Sequence, residues 1–209
     1  MSSKIKKPLI FGMLTLMAGV LVMACSSGAK SPRLARQALI LAFGDSLTYG
    51  TGVAPTESYP AVLERLVGRR VVSSGVPGEV SGEGLTRLPG VLEKEKPALL
   101  ILCHGGNDLL RRLDRRQTAD NVRAMIGLAL GRGIAVILIA VPSPGFALSP
   151  PPFYRELAAE MKIPVEEEAL TNVLSDSSLR SDYIHPNAEG YRRLAVAIAA
   201  FLKERGAVE

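Results

Sequence analysis

From residue 38 onward the chain alternates apolar runs with amphipathic stretches. Residues 38–43, 70–74, 98–103 and 134–141 read as strands. The third and fourth runs are uninterrupted enough to be buried on both faces. Residues 163–165 make a weaker fifth candidate. Helical patterns fall between them, at about residues 57–67, 82–94, 118–131 and 152–161. A last helix is predicted over 187–205, where Leu194, Ile198, Phe201 and Leu202 form one apolar face. Alternation of this kind predicts right-handed crossovers and an α/β fold, a central parallel sheet with helices on both faces. No internal repeat interrupts it.

In such sheets sites form beyond the carboxyl ends of the strands. Gly44-Asp45-Ser46-Leu47-Thr48-Tyr49-Gly50 follows the first strand, and residues 75–82 (GVPGEVSG) the second. His104-Gly105-Gly106-Asn107-Asp108 follows the third, and a proline-rich loop, residues 142–152, the fourth. Asp182-Tyr183-Ile184-His185-Pro186-Asn187 precedes the last helix. These stretches are all predicted on one rim. A serine at a tight strand-to-helix turn stands beside the positive end of the helix, where free N–H groups bind an anion. Those surroundings suit a nucleophile. They also suit a phosphate-binding or merely structural turn.

The N-terminal residues have a different pattern. Lys4, Lys6 and Lys7 precede an apolar run of 17 residues, 8–24, and then Cys25. Positive start, apolar middle and small residue before the cut are the layout of a secretory signal. An uncleaved anchor is the alternative, with a run at the short limit for a span. Val22-Met23-Ala24-Cys25 resembles the lipobox of bacterial lipoproteins, although Met23 is a less usual occupant. The expected organisation is therefore a signal peptide over 1–24, a flexible tether over 25–37 and one domain over 38–209. The resemblance implies an exported bacterial lipoprotein of the cell envelope, held to a membrane through lipid on Cys25. Ser26, in place of an Asp, points to the periplasmic face of the outer membrane in a Gram-negative cell.

Composition narrows the function classes. At 209 residues with 47% hydrophobic content the chain suits one well-buried domain. The formal charge is +5; without the three leading lysines it is +2 (5 − 3), too little to imply a nucleic-acid partner. No obligate protein partner is evident. Cys103 lies inside an apolar run and is expected to be a buried small hydrophobe. With Cys25 lipidated no disulfide is possible. Two histidines and no further ligand cluster argue against a metal centre.

Ser46, Asp182 and His185 supply a nucleophile, an orienting acid and a base, provided the histidine reaches the hydroxyl with one ring nitrogen while the carboxylate holds the other. Asp-x-x-His alone equally suits a metal-ligand pair. Together, Gly44-Asp45-Ser46-Leu47, Gly78, Gly105-Gly106-Asn107-Asp108 and Asp182-x-x-His185 resemble, in order, the four blocks of the SGNH (GDSL) hydrolase family. The likeness is closest to its bacterial thioesterase I/arylesterase branch and extends from Leu39 to Phe201. It includes Val71-Val72 and Gly84-Leu85-x-Arg87-Leu88-Pro89.

This resemblance implies a three-layer α/β/α sandwich of flavodoxin-like type and a serine hydrolase working without a cofactor. Its substrates would be small-molecule or lipid esters or thioesters, of arylesterase, thioesterase or lysophospholipase type. Carbohydrate or cell-wall O-deacetylation is the competing enzyme reading, and a non-catalytic lipid- or glycan-binding lipoprotein the competing class. Carried over, Ser46 is the nucleophile, His185 the base and Asp182 its partner. The Ser46 and Gly78 N–H groups and the Asn107 amide would form the oxyanion hole. Ser73 departs from the Asn usual in this branch. The G-x-S-x-G elbow of α/β-hydrolases is absent, because Thr48 replaces its second glycine.

Other polar residues carry plainer expectations. His104 either lines the cleft or is a hydrogen-bonded structural histidine. Asp45 and Asp108 are expected to hold their loops. Glu166-Glu167-Glu168 reads as a solvated helix start, and residues 111–116 (RRLDRR) as a surface loop.

Overall fold

The computed structural model describes residues 29–145 and 148–209. The signal segment and Cys25 lie outside the described residues. Among these residues five strands form one sheet: β1 (Ile40–Gly44), β2 (Val71–Gly75), β3 (Leu99–Cys103), β4 (Ala135–Ile139) and β5 (Val165–Glu166). All neighbours pair parallel, in the order β2-β1-β3-β4-β5. β1 and β3 are buried along their whole length, as continuous apolar runs covered on both faces must be.

Among the described residues eight α-helices cover the sheet: α1 (Ser46–Tyr49), α2 (Tyr59–Val67), α3 (Ser81–Glu95), α4 (Gly106–Leu110), α5 (Arg115–Leu130), α6 (Phe153–Met161), α7 (Ala169–Ser175) and α8 (Ala188–Glu204). α2, α7 and α8 pack together, and α3, α5 and α6 form a second group. These are the two outer layers of an α/β/α sandwich. The chain moves outward from β1 to β2, then returns past β1 to β3. The crevice between β1 and β3 is thus the switch point at which ligands bind in open sheets.

Every expected strand is present within two residues of its predicted bounds. Two helices, α1 and α4, lack any predicted counterpart. They have four and five residues, too few to show a period. The acidic run leads into α7, as its reading as a helix start suggested, but Glu166, the last residue of β5, is half-buried: its carboxylate accepts from Ala169 N at 2.9 Å. Burial pushes that carboxyl up, against the backbone bonds.

The expected tether is corrected over residues 31–35. Ser31 and Leu34 are buried, at 8% and 6% exposure. Their N–H groups donate to Arg205 O and Ala207 O, both at 2.9 Å. The Arg69 guanidinium donates to Leu34 O and Ala35 O. One leucine among polar residues carries no periodicity, yet it is enough to fasten the segment to the end of α8.

Candidate active site

Each candidate residue stands on a segment that its own neighbours fix. Asp45 caps α1, its Oδ1 accepting from Leu47 N at 3.0 Å. That cap aims Ser46 out of the sheet at the start of the helix. Ser73 donates to Thr48 O at 3.1 Å, so the departure at this position still ties β2 to the end of α1. On the opposite side of the cavity, Ser181 N donates to His185 O, and residues 180 and 186 pair as an isolated bridge. The 180–187 loop is closed upon itself.

Within that loop Asp182 Oδ1 accepts from the N–H groups of Ile184 and His185, both at 2.8 Å. Its Oδ2 lies 2.7 Å from His185 Nδ1. The other ring nitrogen, Nε2, is 3.0 Å from Ser46 Oγ. Partial burial pushes the Asp182 carboxyl up, but the bonds from the His185 ring and the two N–H groups outweigh it and hold it below its ordinary value. Asp182 is therefore ionised at neutral pH. It accepts a hydrogen bond from Nδ1–H, which fixes the tautomer and leaves Nε2 to accept from the serine hydroxyl. A hydroxyl so placed can be deprotonated as it attacks a carbonyl.

Asn107, at the start of α4, shares the cavity with Ser46 and His185. Its Nδ2 donates to Glu79 O at 3.0 Å and to Asp45 Oδ2 at 3.2 Å. Both amide hydrogens have partners, a role for Asp45 and for the Glu79 carbonyl that sequence reasoning did not find. Gly78 has φ +79°, which favours glycine, and its carbonyl accepts from Arg111 at 2.8 Å. It lies outside the cavity lining.

His104 is fully buried and does not line the cavity; of its two readings the structural one holds. Nδ1 accepts from Gly105 N, so the proton sits on Nε2 and points to Glu79 Oε2 at 3.1 Å. Gly84 makes room for this ring: a Cβ there would lie 2.3 Å from Nε2. Arg87 forks onto the same carboxylate at 2.7 and 2.8 Å, and its guanidinium lies 4.1 Å above the Phe43 ring. Burial pushes Glu79 up, yet Arg87 and His104 together bring it from its ordinary 4.5 to about 2. Asp108 braces the neighbouring turn, accepting from Ser81 N and Oγ at 2.8 and 2.6 Å. Burial pushes the Cys103 thiol well up, as suits a small buried hydrophobe.

The cavity beside Ser46 has a volume of about 250 Å³. Leu110, Val141, Pro142, Leu148, Leu174 and Ile184 make most of its wall apolar, and Tyr183, 89% exposed, stands at the mouth. Arg180 also lines it, a residue with no signal in the sequence. Among the described residues no three His, Cys, Asp or Glu side chains gather as a metal site.

The comparisons with known proteins agree with this geometry. The sequence profile of the GDSL-like Lipase/Acylhydrolase family matches residues 42–193. Esterase TesA of Pseudomonas aeruginosa is 28% identical over 200 residues, spanning 90% of this chain and 98% of that protein. Thioesterase 1/protease 1/lysophospholipase L1 of Escherichia coli is 27% identical over 165 residues, 75% of this chain and 79% of that one. A crystal structure of TesA superposes with a TM-score of 0.72 at 28% identity, covering 80% of this chain and 99% of that one. The chain belongs to the GDSL-like lipase/acylhydrolase family, and its chemistry is the hydrolysis of ester bonds.

Proposed function

We propose that the protein hydrolyses acyl esters and thioesters through a covalent acyl-enzyme on Ser46. The observation that carries this reading is the unbroken relay Asp182–His185–Ser46, with 2.7 Å and 3.0 Å contacts. His185 takes the hydroxyl proton as Ser46 attacks, then returns it to the leaving alcohol or thiol. Water repeats the sequence to free the acid. Ser46 N–H and the Asn107 amide, both in the cavity lining, are the oxyanion donors in this account, and Gly78 N–H, outside that lining, joins them only as the family resemblance implies. Of the two bonds Asn107 makes at rest, the longer one to Asp45 is the one an oxyanion would displace, while the bond to the Glu79 carbonyl keeps the amide aimed.

An apolar cavity favours an alkyl or aryl acyl group over a sugar acetate, in keeping with the names of the two relatives. We further propose that lipid on Cys25 anchors the enzyme in the cell envelope. The test is Ser46→Ala with a panel of octanoyl, aryl and acetyl-sugar esters. Ser46→Ala should lose at least about 10³-fold in turnover, and the wild type should favour the octanoyl and aryl esters. Preference for acetylated sugar would replace this reading with O-deacetylation; an active Ser46→Ala would remove the covalent route.

A further inference from the structure

We propose that Arg180 is a specificity residue that binds an anionic group, a carboxylate or a phosphate, carried on the ester substrate. The inference deepens the proposed ester hydrolysis and rests on it. Arg180 is half-buried and lines the same cavity as Ser46 and His185. Among the described residues its guanidinium has no hydrogen-bond or ion-pair partner, whereas Arg87, Arg123, Arg155, Arg192 and Arg193 each hold a carboxylate. The acids closest to it in sequence do not pair with it: Asp176 accepts from Ser178 N and Oγ and feels the charge of Arg180 only from beyond ion-pair distance, and Asp182 accepts from His185 and two N–H groups. Asp45, the remaining charged group of the lining, is 1% exposed and holds Leu47 N and Asn107.

Among the described residues Arg180 is thus the one arginine that lines this mostly apolar cavity, and its backbone is held in place. Its carbonyl accepts from Asn187 at 3.4 Å, and it pairs with Pro186 beside His185. A guanidinium with no hydrogen-bond or ion-pair partner among the described residues, beside apolar walls, is poised to take an anion in a charge-assisted pair. An amphiphile fits: an acyl or aryl part for the apolar wall, and a negative group for Arg180. That group sits on the acyl side or on the alcohol side of the ester, and the experiment separates the two.

The test uses the full chain and two matched substrate pairs below their micelle concentrations. On the acyl side, a p-nitrophenyl ester of an ω-carboxyalkanoic acid is compared with its methyl-terminated counterpart. On the alcohol side, 1-octanoylglycerol 3-phosphate is compared with 1-octanoylglycerol. The wild type should prefer the charged member of one pair by about 10–100-fold in kcat/KM, through KM, as a charged hydrogen bond implies. Arg180→Gln should erase that preference while leaving the neutral esters nearly unchanged, and Arg180→Lys should keep part of it. Arg180→Glu should turn the preference toward an ω-amino acyl ester.

No charge preference in the wild type overturns the proposal. So does an Arg180→Gln variant that slows charged and neutral esters alike, the result expected of an arginine that only steadies the Asp182–His185 loop. Both results leave the Ser46 chemistry standing. A wild type inactive on all four esters would instead overturn the hydrolytic reading together with this one.

Discussion

At the scale of single residues, Asn107 carries the sharpest expectation. Its amide sits between two acceptors, Asp45 Oδ2 and Glu79 O, besides the oxyanion it is proposed to meet. Asn107→Ala should lower turnover by about 10²–10³ with a smaller change in KM, since the bond strengthens mainly in the transition state. Asn107→Asp should be worse, although it is the closer match in shape. A carboxylate would face an acidic side chain and a carbonyl at rest, and would repel the oxyanion as well. Steady-state kinetics beside melting curves check this: the Asp variant should lose both turnover and stability, the Ala variant chiefly turnover. Near-normal turnover in a stable Ala variant would remove Asn107 from the oxyanion hole.

At the scale of elements, the strand-to-helix alternation and all four motif blocks were legible in the sequence, because buried parallel strands and glycine-bounded loops leave local patterns. The struts between those blocks were not. Glu79 joins Arg87 on α3 to His104 at the end of β3, across 8 and 25 residues, and no local pattern encodes such a contact. Asp45 was correctly read as a loop holder, but its second oxygen's bond to Asn107, 62 residues away, could not be foreseen.

This strut has a pH signature. A carboxyl whose folded pKa lies below its unfolded value contributes stability above the unfolded pKa, and loses it as pH falls toward the folded one. For Glu79 that window runs from its ordinary 4.5 down to about 2. Glu79→Gln should therefore melt lower than wild type at pH 7, with the gap closing as pH falls through that window. A gap that stays constant from pH 7 to pH 2 would mean the charge of Glu79 contributes nothing. His104→Leu should likewise cost stability and leave substrate preference unchanged, because the ring is buried away from the cavity.

At the scale of the whole molecule, the entry of the chain bears on orientation. Residues 31–35 dock beside Arg205, Ala207 and Arg69, at the end of the sheet where the strands begin. Ser46 and Asn107 stand at the other end. Four residues lie between Cys25 and Lys30, a span of at most about 18 Å. If Cys25 carries lipid, as proposed, the lipid-bearing segment joins the domain at the end of the sheet opposite Ser46. Cys25→Ser should then abolish lipid attachment, seen by mass spectrometry, without changing kcat/KM on a soluble ester. Leu34→Ala, which empties a buried site, should cost about 2–5 kcal/mol in unfolding free energy with turnover retained. Denaturant melts and assays on the same samples measure both.

The central claim, that Ser46 is acylated during turnover, is open to one direct measurement. The wild type and Ser46→Ala are each mixed with a fluorophosphonate and with a p-nitrophenyl ester, quenched, and weighed intact before peptide mapping. The account predicts one stoichiometric adduct on the wild type, mapped to Ser46 with either reagent, and none on the variant. An adduct on another residue, or a Ser46→Ala protein that is still modified and still hydrolyses the ester, would contradict it.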